Sequence, residues 1–275
     1  MRTFWLAIAL AALPAAAPLP TDSGASAAPI GYSDLADLAL AAPVAVHVRV
    51  ARAIAVKPEQ AAGLRPGMAR LYVEADVVAL IRSPGPLPSR LAYVVDLPSD
   101  GRGKPPKLRK GAEFLLLAAA AARPGEVRLI APDAQIPYSS TSAERLRAIV
   151  REAGGASAPP RITGIGKAFH VPGAIPGESE TQVFLQTADQ RPISLTVLRR
   201  PGQTPQWAVA LGEIVDEAAA APAPGTLLWY RLACTLPRRL PAQSLADIEP
   251  GHVAAVEADY RLVIDQLGPC GRARR

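Results

Sequence analysis

Along the first half of the chain, apolar and polar residues alternate with a period of two. Leu71, Val73, Ala75 and Val77 alternate with Tyr72, Glu74 and Asp76, and Leu91, Tyr93, Val95 and Leu97 alternate with Ala92, Val94 and Asp96. Successive strand side chains point to opposite faces, so each run predicts a half-buried strand. Ser83-Pro84-Gly85-Pro86 between them cannot continue a ladder and predicts the reversal. A third strand is read in Lys110 to Leu117, after a basic loop. Upstream, Val44, Val46, Val48 and Val50 alternate with Ala45, His47, Arg49 and Ala51, which places His47 on the polar, solvent-facing side. A short helix precedes this strand, with Ser33 as its N-cap, Asp34 and Asp37 in its first turn, and Pro43 as its stop. Glu74 and Asp76 share a face with Tyr72 and are read as a solvated strand edge.

The pattern continues with a strand over Glu126 to Pro132. A helix follows, opened by a Thr141/Glu144 capping box, with Leu146, Ile149 and Val150 as its apolar face and Gly154-Gly155 as its end. The Gly/Ala/Ser/Pro tract 154–160 predicts a linker. Beyond it, strands are expected over Arg161–Phe169, Thr181–Thr187, Pro192–Arg199 and Trp207–Ile214, and a helix over Gly225–Leu236. Val253, Val256, Tyr260, Val263 and Leu267 step by three and four residues and mark an amphipathic helix ending at Gly268-Pro269. The expected fold is therefore mainly β with an α+β portion. Residues 30–153 would form a five-stranded, OB-like barrel with flanking helices, and residues 161–275 a small antiparallel sheet with a helix pair.

Composition changes this picture at three points. Met1 to Ala17 has a basic start at Arg2 and an apolar run from Phe4, followed by small residues, so 1–27 is read as a signal peptide. Pro14 and Pro18 break the run short of a membrane span. The expected location is exported, periplasmic or secreted, with no transmembrane helix in the mature chain. In an oxidising compartment the two cysteines, Cys234 and Cys270, are expected to pair and join the last two helices. The formal charge of +6 suits an acidic partner, although part of it sits in Arg272-Ala273-Arg274-Arg275, a tail expected to fray.

Two stretches are candidates for chemistry. Gly101 to Lys110 holds Arg102, Lys104, Lys107, Arg109 and Lys110, and its glycines would let backbone N–H groups approach an anion while the cations neutralise it. His170 with Glu178 and Glu180 is the alternative, a hydrolase or metal-dependent constellation. Gly177-Glu178-Ser179-Glu180 lacks the form of a nucleophile elbow, and one His with two Glu lacks metal-ligand spacing. No Walker-type or dinucleotide loop occurs, so no cofactor is implied. Aromatic residues make up 5% of the chain, which argues against a nucleic-acid partner for a barrel.

The order of helix, Val-rich strand, Leu-Tyr-Val-Glu strand, Tyr-Val-Val strand and Lys107-to-Leu117 strand entry resembles the netrin-like domain, the OB-type barrel also used by tissue inhibitors of metalloproteinases. The resemblance spans about residues 31–153 and implies the barrel. As an alternative activity it implies protease inhibition of the netrin-like kind, from which this stretch departs in having no cysteine, where the family inhibits through an N-terminal one. Residues 161–275 resemble exported proteobacterial proteins of unknown function. The expected activity is that of a non-enzymatic binding module whose partner is an envelope protein or an anionic envelope component.

Overall fold

The computed structural model describes residues 30–212 and 220–274. The expected signal peptide and the end of the expected strand at Ile214 lie outside the described residues. The chain runs α1 (Tyr32–Ala41), β1 (Val44–Ala55), β2 (Met68–Arg82), β3 (Arg90–Pro98), β4 (Glu113–Ala120), β5 (Val127–Leu129), β6 (Gln135–Pro137) and α2 (Ser140–Gly154). It continues through β7 (Ile162–Pro172), β8 (Ser179–Thr187), β9 (Ile193–Arg199), β10 (Gln206–Ala210), α3 (Leu227–Ala233) and α4 (Val253–Leu267).

The first sheet has the order β3-β2-β1-β4-β5, all antiparallel, with β6 also on β4. A parallel bridge from Ala92 to Glu126 brings β3 against β5 and nearly closes a five-stranded barrel. β1 can bend to serve both neighbours because its register with β2 slips at three places. Inside lie Val44, Val46, Val48, Val50, Leu71, Val73, Leu91, Tyr93, Val95 and Leu116. Tyr93 keeps its hydroxyl satisfied by donating to Gln135 Oε1 at 2.8 Å.

The second sheet is a meander, order β10-β9-β8-β7. Val183, Leu185, Leu195 and Val197 point from it into a cluster with Tyr260 and Val263 of α4 and Trp229 of α3. The same cluster takes in α1, α2, and Leu115 and Leu117 from the outer face of β4, so apolar packing is continuous across residues 154–160. Cys234, just after α3, is bridged to Cys270, just after α4.

Helix starts are where the sequence reading needs correction. Gly31, not Ser33, is the N-cap of α1; Ser33 lies inside the helix and its hydroxyl donates to the Cys270 carbonyl. For α2 the cap is Ser139, accepting from Ser142 N at 3.1 Å, and not a Thr141/Glu144 box. α3 covers only Leu227–Ala233 of the expected Gly225–Leu236, capped by Thr226. The tail does not fray through Arg274. Arg272 pairs with Asp37, Arg274 pairs with Asp133, and the backbone N–H groups of Ala273 and Arg274 donate to Asp34. The two acids read as helix-dipole partners therefore hold the C-terminus.

Candidate functional site: a cationic barrel end and a half-buried imidazole

Antiparallel pairing begins β2 and ends β3 at one place, Met68 opposite Pro98. The loops entering β2 (56–67) and leaving β3 (99–112) therefore meet at the same end of the barrel. Ser99 ties them together, donating to the Gly67 carbonyl from both its N–H (2.9 Å) and its hydroxyl (2.8 Å). Arg70 adds a second tie through the Ala62 carbonyl at 2.9 Å while its other nitrogens grip Asp96. Those hydrogen bonds from Arg70 hold the Asp96 carboxyl below the usual range.

Within the 99–112 loop, Asp100 is the organiser. Its Oδ1 accepts from Arg102 N at 2.9 Å and Lys104 N at 2.7 Å, and Gly103 turns with φ +76°. Two of the loop's backbone donors, the N–H groups of Arg102 and Lys104, are thereby given to the Asp100 carboxylate. Leu108 is half-buried on the barrel interior cluster and anchors the loop's second half. Gly111 N donates to Val50 O, and Val50 N to Ala112 O, both at 2.8 Å, fixing the exit on β1. Arg102, Lys104, Lys107, Arg109 and Lys110 are all exposed. Among the described residues none of the five has an ion-pair partner. Arg49, Arg70, Arg90, Arg199, Arg272 and Arg274 all do.

The His170, Glu178 and Glu180 constellation is not assembled. On β7, His170 stands opposite Thr181 of β8, and both point to the inner face of the second sheet. Glu180, one residue before Thr181, points to the outer face, where it accepts from Gln182 Nε2 at 2.7 Å. It lines a shallow groove there with Phe169, Val171, Gln182 and Phe184. Glu178 sits in the β7–β8 turn, its backbone closing on Gly173 at 2.8 Å. Gly173 is needed there, because a Cβ would lie 2.3 Å from Glu178 Cγ.

What His170 meets instead was not legible in local sequence. Its Nδ1 lies 2.8 Å from Thr181 Oγ1, and Thr181 donates its one hydroxyl proton to the fully buried Asp259 of α4. With that proton committed, His170 must supply its own Nδ1–H, which leaves Nε2 as the lone-pair nitrogen of the neutral ring. Arg199 of β9 closes the chain on Asp259 Oδ1. The ring of His252, preceding α4, is 5.0 Å from that of His170. Burial lowers the His170 pKa, the His252 ring and Arg199 lower it further, and Asp259 opposes them. Among the described residues no three His, Cys, Asp or Glu side chains converge as a metal-ligand set.

His47 was expected in solvent and is buried. It stacks on Tyr138 with ring centroids 3.9 Å apart, and its Nε2 is 2.9 Å from Glu113, which Arg49 also grips. Tyr138, in the segment between β6 and α2, covers the outer face of β1 here, and alternation alone does not show that cover. Asp76 pairs with Arg90 in the open, as expected of a solvated position, but β2 lies between β3 and β1, so this is the outer face of an interior strand and not an edge.

Fold and surface together define a two-sheet, mainly β protein with a cationic barrel end. Comparison with models of known protein families and with characterised proteins returns no match. Among the described residues no helix is long and apolar enough to cross a membrane.

Proposed function

We propose that the protein is a non-enzymatic binding module of the cell envelope, which takes an anionic partner at the loop between β3 and β4. One observation carries the reading. Five cations stand exposed and without ion partners on a loop whose base is fastened at Ser99, Asp100 and Gly111. Leaving like charges together costs self-repulsion, which a bound anion would relieve. Further support comes from the strand order with its β3–β5 contact, which agrees with a partly open, five-stranded OB barrel, and from the netrin-like resemblance of residues 31–153. The leader-like segment 1–27 supports export to the envelope.

The test replaces Arg102, Lys104, Lys107, Arg109 and Lys110 together by Gln and measures binding of long-chain inorganic polyphosphate at low salt. The wild type should bind, the variant should lose most of that affinity, and both should melt alike. Equal binding by the two proteins would remove the proposal. Sequencing the N-terminus of the mature protein from cells tests export: an intact Met1 would remove the envelope from it.

A further inference from the structure

We infer that the anion site extends onto the loop between β1 and β2, and that its ligand is a linear polyanion rather than a single phosphate or carboxylate group. The inference rests on the reading of the β3–β4 loop as an anion site. Three observations take it further.

The first is placement. Lys57 and Arg65 are exposed on loop 56–67, which Ser99 staples to the base of loop 99–112. The two loops carry seven cationic side chains against two acidic ones, Glu59 and Asp100. Asp100 is spent on backbone N–H groups, and Arg65 adds its field to an Asp96 that Arg70 already neutralises. The positive strip therefore crosses the seam between the loops.

The second is the commitment of backbone donors. A small anion is held by converging donors, usually backbone N–H groups in a nest or at a helix end. At this end the Arg102 and Lys104 N–H groups already donate to Asp100. With those two donors taken, a lone phosphate would rely mainly on solvated side chains, each contributing little. A chain of charges meets many such side chains at once and releases counterions at each, so weak attractions add along its length.

The third is exposure. All seven cations are solvent-exposed, and among the described residues none is ion-paired. An open strip suits a ligand that lies across it and not one that enters a cavity.

The experiment titrates the full chain with long-chain polyphosphate, tripolyphosphate and dextran sulfate over a range of salt. It compares the wild type, the five-site Gln variant and Lys57→Gln/Arg65→Gln. The two-site variant should bind long-chain polyphosphate about tenfold more weakly at about 50 mM salt. Its log–log salt slope should be shallower by roughly 1.4, at about 0.7 for each phosphate of a flexible strand that the variant no longer neutralises. Tripolyphosphate should bind far more weakly per phosphate than the long chain. Dextran sulfate distinguishes a phosphate from a sulfate polymer, and either one bound through both loops supports the inference. Unchanged binding by Lys57→Gln/Arg65→Gln, with loss in the five-site variant, would overturn the two-loop strip and leave the proposed function standing. Tripolyphosphate as tight per phosphate as the long chain would overturn the polymeric ligand. Binding of neither polyphosphate nor dextran sulfate by the wild type would remove the proposed function and this inference together.

Discussion

Asp259 shows how a residue's surroundings decide what it contributes. It is fully buried on α4, and its two oxygens are taken by Arg199 and Thr181. Removing one partner of a buried pair leaves the other group's desolvation uncompensated, which costs about 3 kcal/mol or more. Arg199 is 35% exposed and can turn toward water, which keeps the expected loss for Asp259→Ala near the lower end. Lys167 and Asp247 form a pair with similar geometry, but both are more than half exposed, so Lys167→Ala should cost less than about 1 kcal/mol. Urea denaturation of both variants checks this, and equal midpoints would show that the Asp259 network adds nothing. His47→Ala belongs to the same argument. Losing its stack on Tyr138 and its bond to Glu113 should cost about 2 kcal/mol, where a surface histidine would cost almost nothing.

At the scale of elements, the contact between α4 and the second sheet should respond to pH. His170 faces His252, Glu249 lies 3.7 Å from His252, and Thr181, Asp259 and Arg199 complete the surroundings. The folded-state pKa of His170 lies below its ordinary value of 6.5, so on acidification the unfolded chain takes up this proton first. Stability then rises with pH across that window. The contribution is intact above the unfolded value, and it shrinks as pH falls below it, until the folded state also protonates. A urea midpoint measured at about pH 7.5 and about pH 5 should fall in the wild type and fall less in His170→Gln. Identical shifts in the two proteins would put the pH response elsewhere. The bridge between the ends of α3 and α4 closes a separation of 36 residues, for which the chain-entropy model gives about 4 kcal/mol. Cys234→Ser/Cys270→Ser should lose about that much. It should also loosen the tail that carries Arg272 to Asp37 and Arg274 to Asp133, seen as faster amide exchange in α1.

For the whole molecule, the apolar cluster that joins α1, α2 and β4 to the second sheet, α3 and α4 predicts one cooperative transition. Trp207 and Trp229 are both in that cluster and report on the second half, while far-UV circular dichroism reports on every element. The two signals should give the same urea midpoint. A barrel that melts separately would split them and show that the barrel's interior cluster holds it without its neighbours.

Local pattern reached a long way here, and its failures have identifiable causes. The alternation at Leu71–Val77 and Leu91–Leu97 found β2 and β3 because one face of each is buried and the other is wet, the situation in which a period of two is visible. The steps of three and four from Val253 to Leu267 found α4 with its end at Gly268. β6, three residues from Gln135 to Pro137, is too short to show a period and exists through its pairing with β4. His47 departs from its pattern because Tyr138, distant in the chain, stacks over that face of β1, and a period cannot tell water from a covering side chain. The sequence by itself determined every strand but β6, most of the helices, the pairing of the two cysteines and the cations of the 99–112 loop, since each depends on neighbours in the chain or on composition. Only the tertiary structure decided what each charge meets. It spent Asp100 on the loop's own backbone, turned Glu180 away from His170, and brought Thr181, Arg199 and Asp259 together from three elements. Lys57 and Arg65 joined the basic loop for the same physical reason. Charged groups act through space, and the spacing is set by the register of strands far apart in the chain.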